Sequence, residues 1–408
     1  MGPSSRARVA AAAGVAGAGL AVCCALFAWA RHSDERRAEL ERLEARHRAA
    51  VRRFNSEPHR SAVLRGEPLA GPSMKAVSEV LPRFRELARP AAKRTVEQAW
   101  LDIERGNPLD AEALALVDAH RDALVALRRT TQHTTVGQRY PFVGSEPPAV
   151  IELFRAQRLL LIDAARRQPS DCLQIAADVI RSGQGVVPGG GLITHMVFVR
   201  IAGDATELVR SCAARATADD LATAHRELRQ LARDAPVFAH TMRFELLWGF
   251  VAIREEAPRT LGPFDPGAID WVLQGRDSLH AMGQALVEER RWRDPRWASY
   301  RAAMVHTTEL AGRYSAGGLF GDPVDFTIYA RRGAVAESRL RATAILLDAL
   351  GRSSSRATLS TGAPPSLLDP VLADPATDRP MEYLPHRNRI AWSLRSDTGT
   401  QYVEPWPW

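Results

Sequence analysis

Leu192-Ile-Thr-His-Met-Val-Phe-Val-Arg-Ile201 is the stretch on which the fold turns. Wound as a helix, it carries apolar side chains on almost every side and so belongs at the centre of a stack of helices. Gly183, Gly185, Gly189, Gly190 and Gly191 stand ahead of it, a composition suited to a hairpin loop. Exposed N–H groups at a helix start can hold a phosphate, but no Gly-Lys-Ser/Thr follows these glycines, so the loop accounts for them.

Working outward, apolar residues recur at three-four spacing at Ala113, Val117, Leu124 and Leu127; at Val237, Thr241, Phe244, Trp248 and Val251; and at Ile269, Val272, Leu279 and Leu286. Each set predicts a helix with one buried face. Helix starts are signalled by Asn107-Pro108, Asp265-Pro266, Asp294-Pro295 and Asp322-Pro323, where an N-cap acceptor precedes a proline whose missing N–H costs nothing. Thr217 and Asp220 form a capping-box pattern ahead of Leu221, Ala224, Leu228 and Leu231. Ser170 is read as opening, and Gly183 as closing, a helix that turns Cys172, Ile175 and Val179 to one side. Strand signals are nearly absent from 74–350, which is expected to be a helical domain.

Val9 to Ala30 is 22 residues without a charge, about 33 Å of helix and long enough to span a bilayer. It is read as a single-pass anchor following a short tail, residues 1–8. Arg6 and Arg8 with Ala28-Trp29-Ala30 also fit a cleaved signal peptide, and Leu20-Ala-Val-Cys23 is a poor match to a lipoprotein signal. Residues 31–54 form a charged juxtamembrane helix with a thin apolar seam at Leu40, Leu43, Ala50 and Phe54, expected as a solvated stalk. Pro58, Gly66, Pro68, Gly71 and Pro72 make 55–73 a linker.

At 408 residues, with 46% apolar and 25% charged residues, the chain is globular in composition. Its net charge of +7 is concentrated in residues 1–54, which hold ten arginines and five acids, so the body is nearly neutral. That pattern suits anionic lipid headgroups and gives no support for nucleic-acid binding. Cys23 and Cys24 lie in the apolar run; Cys172 and Cys212 either form one disulfide between two helices or remain two buried thiols.

Gly351 to Ser366 is a second linker by composition, and 367–408 a small β-containing unit with strands at Pro380–Leu384 and Ile390–Leu394. The segments AESRLRATAILLDAL and LLDPVLADPATDRPMEYLPHRNRIAWSLRSDTG resemble the closing part of a group of uncharacterised membrane-anchored bacterial proteins with a D-P-x-[TS]-G-x-P-x-x-Y motif. Asp374, Pro375, Thr377, Pro380 and Tyr383 fill it, and the same motif resembles the C-terminal region of major pseudopilins of type II secretion. The resemblance implies a bulk outside the cytoplasm, against the arginine count: Arg6 and Arg8 precede the span while Arg31, Arg36, Arg37, Arg42, Arg46 and Arg48 follow it. Asp378 stands where the motif has Gly, and SDTGTQYVEPWPW replaces the acidic, glycine-rich end that holds calcium in pseudopilins, so no calcium site is carried over.

For chemistry, His195, His240 with Glu245, and His306 are the best-placed titratable groups, but none has zinc-ligand spacing and no HExxH, GxSxG or SxxK is present. Asp397-Thr-Gly399 occurs once and lacks the second carboxylate of an aspartic protease. The sequence therefore predicts a mostly α protein: an N-terminal transmembrane helix, an antiparallel helical-hairpin bundle or irregular α-solenoid, and a small C-terminal β-hairpin unit. It reads as a periplasmic, single-pass scaffold of the bacterial inner membrane, with the membrane and a protein as partners and no cofactor, metal, nucleic acid or small-molecule substrate indicated. An envelope-associated hydrolase using His195, His240 and Glu245, and an accessory of a type II secretion or pilus-like apparatus, are the alternatives.

Overall fold

The computed structural model describes residues 23–24, 31, 34–56, 79–132, 150–187, 191–235, 238–256, 267–314, 326–352, 363–384 and 389–391. These are mostly α-helical: α1 (34–56), α2 (Pro90–Glu104), α3 (Ala111–Ala119), α4 (Arg121–Gln132), α5 (Val150–Ala165), α6 (Pro169–Val186), α7 (Leu192–Ala213), α8 (Ala218–Arg233), α9 (Phe238–Glu256), α10 (Gly267–Trp292), α11 (Tyr300–Tyr314) and α12 (Phe326–Arg352). Among the described residues no helix is long and apolar enough to cross a membrane; apart from Cys23 and Cys24, the span read at 9–30 lies outside them.

The chain divides into two compact units. The smaller comprises Met1–Phe54, Leu246–Arg290 and Gly318–Gly321; the larger holds the rest. In the smaller unit α1 is no solvated stalk, which corrects that expectation. Leu43, Ala50 and Phe54 are buried, and the His47 ring stacks on Phe250 with centroids 4.2 Å apart and hydrogen-bonds the Leu247 carbonyl at 3.1 Å. Burial holds that imidazole below its ordinary pKa. Arg254 closes on Glu44 at 2.5 Å, and a Cβ on Gly283 of α10 would stand 3.9 Å from Leu43. Of the seam residues Leu40 is half-buried and the other three are buried; the partners of α1, more than 190 residues away in sequence, are not visible in the local pattern.

In the larger unit α7 is the central helix, packed against α5, α6 and α12, while α8 lies on α6 and α12. Leu192, His195, Phe198, Ile201, Ala205, Leu208 and Cys212 are buried along it. It is not buried all round, since Ile193 is 70% exposed and the Arg200 side chain 57%. Cys172 of α6 and Cys212 of α7 form a disulfide with Cα atoms 6.4 Å apart. The predicted stop at Gly183 is corrected: α6 runs through it to Val186. A Cβ there would meet Phe198 at 3.2 Å and Ile201 at 3.5 Å, so the glycine allows α6 and α7 to approach closely. Asn107-Pro108 does not start a helix either; Asp110 caps α3 by accepting from the Ala113 amide at 2.7 Å. The Thr217–Asp220 capping box forms as read. A buried Arg158–Asp204 pair at 3.0 Å joins α5 to α7, with the guanidinium 5.3 Å from the Trp100 ring centroid. Burial pushes the Asp204 carboxyl up to about 6, against the pull of Arg158 and Arg200.

The C-terminal segment is tied to this helical stack. Arg229 of α8 pairs with Asp369, and Arg341 of α12 donates to the Ala373 carbonyl. Asp374 accepts from Ser338 of α12 at 3.1 Å, from the Ala376 amide at 3.1 Å and from Thr377 at 2.9 Å. Asp378 then takes φ 56°, in the left-handed region, at the position where the resembled motif has Gly. Strands β1 (Glu382–Leu384) and β2 (Arg389–Ala391) pair antiparallel, Tyr383 opposite Ile390.

Candidate functional site

Glu245 and Thr241 stand one turn apart on α9 and meet the first turn of α7. Glu245 accepts the Leu192 amide, and a Cβ on Gly191 would collide with its carboxylate. A carboxylate on the free N–H groups at a helix start satisfies donors and complements the dipole. The position that the glycine run suggested for an anion is therefore filled by the chain's own side chain. Burial pushes the Glu245 carboxyl up, partly offset by the Leu192 N–H.

One turn into α7, His195 is fully buried. Its Nδ1 lies 3.3 Å from Thr241 Oγ1 and its Nε2 3.2 Å from the Tyr300 hydroxyl. Phe198 and Phe238 stand edge-on to the ring. Burial lowers its pKa to about 4, so the imidazole is neutral at pH 7, with both nitrogens engaged. Gly333 of α12 makes room for this knot: a Cβ there would meet Tyr300 Cε1 at 2.5 Å and His195 Nε2 at 2.8 Å. His240, one residue before Thr241, is turned about 100° around α9 from it and is half-buried. His306 is buried between Trp297, stacked at 4.4 Å, and Trp292, edge-on at 4.6 Å. The structure thus brings His195 and Glu245 to one seam, yet as core partner and helix cap. The Asp397-Thr-Gly399 triplet lies outside the described residues.

No protein-family model, curated protein or solved structure matches the chain. Its chemistry must be read from its own surface.

Among the described residues, one face of the larger unit carries a cleft lined largely by charged and hydroxyl side chains. It measures about 610 Å³ and opens where the start of α8, the end of α12 and the turn Pro365–Asp369 converge. Within it, His225 hydrogen-bonds through Nδ1 to the Ala344 carbonyl at 2.8 Å, which fixes the proton on Nδ1. Asp348 accepts from Arg352 at 2.7 Å and from the Ser366 amide at 3.4 Å. Burial alone would raise its carboxyl, but these donors and the nearby His225 and Arg352 charges hold it below the ordinary range. Asp369 behaves likewise, against Arg229 and the Val371 amide. Ser366 is 8% exposed and its hydroxyl has no hydrogen-bond partner. No base touches that hydroxyl among the described residues, and Asp348 and Asp369 are each paired with an arginine. Among the described residues no group of three His, Cys, Asp or Glu side chains is placed to hold a metal. The α8 residues lie more than 100 positions from the others, and Ser366 sits inside a stretch whose composition reads as linker. The one local signal is the spacing of Asp219, Ala222, Thr223 and Arg226 along a single face of α8.

Proposed function

We propose that the chain is a membrane-anchored, extracytoplasmic scaffold of the bacterial inner membrane, a helical-hairpin bundle with most of its mass in the periplasm that binds a protein partner. The observation that carries this reading is the Cys172–Cys212 disulfide, since such bonds persist in oxidising compartments and are lost in a reducing cytoplasm. The uncharged run Val9–Ala30 supplies the attachment, and the arginine-rich segment after it suits a headgroup region. Binding is favoured over hydrolysis because His195 and Glu245 are committed to core and cap. Ile193, Val305 and Ile328 leave apolar side chains exposed on helices of the larger unit, at 70%, 54% and 46%.

The test is differential alkylation in native membranes, combined with protease added to spheroplasts. The expected result is that Cys172 and Cys212 react only after reduction and that the body is digested from outside. Both cysteines reacting without reduction, or a body protected in spheroplasts, overturns the proposal. A secretion-apparatus accessory is the second reading, favoured by the left-handed Asp378 at the glycine position of the pseudopilin-like motif. A deletion strain with normal export of its secreted enzymes removes it.

A further inference from the structure

We propose that the exposed face of α1 binds a second copy of this chain, helix against antiparallel helix, through Glu35, Glu39, Arg42 and Arg46. The inference needs neither the anchor nor the compartment proposed above. The apolar face of α1 is already taken, since Leu43, His47, Ala50 and Phe54 are buried, so a partner must meet the polar face. There the four residues follow one another at spacings of four, three and four, which sets them in one stripe along the helix. All four are exposed.

The order of charge along the stripe decides the occupant. Glu35 with Glu39, and Arg42 with Arg46, place like charges four residues apart, which weakens a helix on its own, whereas opposite charges at that spacing support it. Their own chain does little to relieve this. Among the described residues Glu39 and Arg46 make no ion pair, Arg42 Nε donates to the Ala38 carbonyl at 3.2 Å, and Glu35 accepts from Arg31 at 3.1 Å with both side chains open to solvent. A second α1 laid antiparallel, with a two-fold axis midway between Glu39 and Arg42, sets Glu39 opposite Arg42 and Glu35 opposite Arg46, and symmetry makes each pair twice. A parallel partner would set every charge against itself. An anionic surface or a nucleic acid would meet the glutamates as well as the arginines, so the stripe complements its own copy better than a ligand of one sign. Ala38, Ala45 and Ala49 run beside it, and side chains that short let two helix axes come close. In a shared bilayer, as the proposed anchor implies, the two-fold axis runs along the membrane normal and each α1 lies along the surface.

Energy transfer between donor- and acceptor-labelled full-length protein in neutral detergent tests this, at about 100 μM protein, a concentration suited to an interface of small area. Transfer between wild-type copies is expected at about 50 mM salt, with a several-fold loss at about 500 mM as exposed ion pairs are screened. Glu35→Arg with Glu39→Arg makes the stripe all basic, and Arg42→Glu with Arg46→Glu makes it all acidic. Each variant alone is expected to lose transfer, and a mixture of the two to regain it, which also shows that neither loss comes from misfolding. No transfer between wild-type copies at the lower salt, or transfer indifferent to salt, overturns the proposal. So does transfer that persists in either variant alone, which would mean that another surface pairs, or a mixture that transfers no more than its components.

Discussion

Gly333 and Asp378 are single positions at which backbone space matters more than side-chain chemistry. At Gly333 a methyl group would press into the Tyr300 ring and the His195 nitrogen it holds. Gly333→Ala is therefore expected to cost about 1–3 kcal/mol, the range for overpacking a filled core. Urea unfolding measures it, and a variant as stable as wild type would show that α12 yields without strain. At Asp378 the left-handed φ is tolerated by a short polar side chain and poorly by a β-branched one. Asp378→Val is expected to lose about 1–2 kcal/mol while Asp378→Gly loses none. Equal stabilities for the two variants would mean that the turn relaxes out of this conformation. Residue identity alone misled the sequence reading at Gly183, since a glycine that ends a helix and one that lets two helices touch look the same without the partner.

Among the elements, α6 and α7 are joined twice, by the contact at Gly183 and by the disulfide across 40 residues. Closing a loop of that length lowers the entropy of the unfolded chain by an amount worth about 4 kcal/mol in the loop-entropy model. Cys172→Ala with Cys212→Ala should lose most of this, seen as a lower urea midpoint, and reductant should lower the wild type but not the double variant. A double variant with an unchanged midpoint would place the bond's contribution near zero. Helix existence was legible because three-four spacing is local, and α7 was recognised as central from its apolar circumference. Helix partners were not legible. Leu43 of α1 faces Gly283 of α10, His47 stacks on Phe250 of α9, and the Ser366 amide is held by Asp348 of α12, through contacts that no window of sequence contains.

Across the molecule, two buried groups pull pH dependence in opposite directions. His195 is held at about 4, below its unfolded 6.5, so its contribution is complete above pH 6.5 and is lost as pH falls toward 4. Asp204 is held at about 6, above its unfolded 3.8, so its contribution is complete below pH 3.8 and is lost as pH rises through 6. Each amounts to about 3 kcal/mol by linkage, and between pH 4 and 6 they nearly cancel. Relative to wild type, His195→Gln should gain stability on acidification over this window and Asp204→Asn should lose it. Parallel pH profiles for all three proteins would show that neither group titrates as described. The Cys172–Cys212 bond also constrains how such a chain reaches its place. Under the proposed periplasmic location, both thiols would stay reduced while the chain is exported as an unfolded strand and would oxidise only after residue 212 has emerged. In that case α6 and α7 would be pinned together while α12, which packs on α7 in the finished fold, is still to cross, and the order of the chain would become the order of assembly.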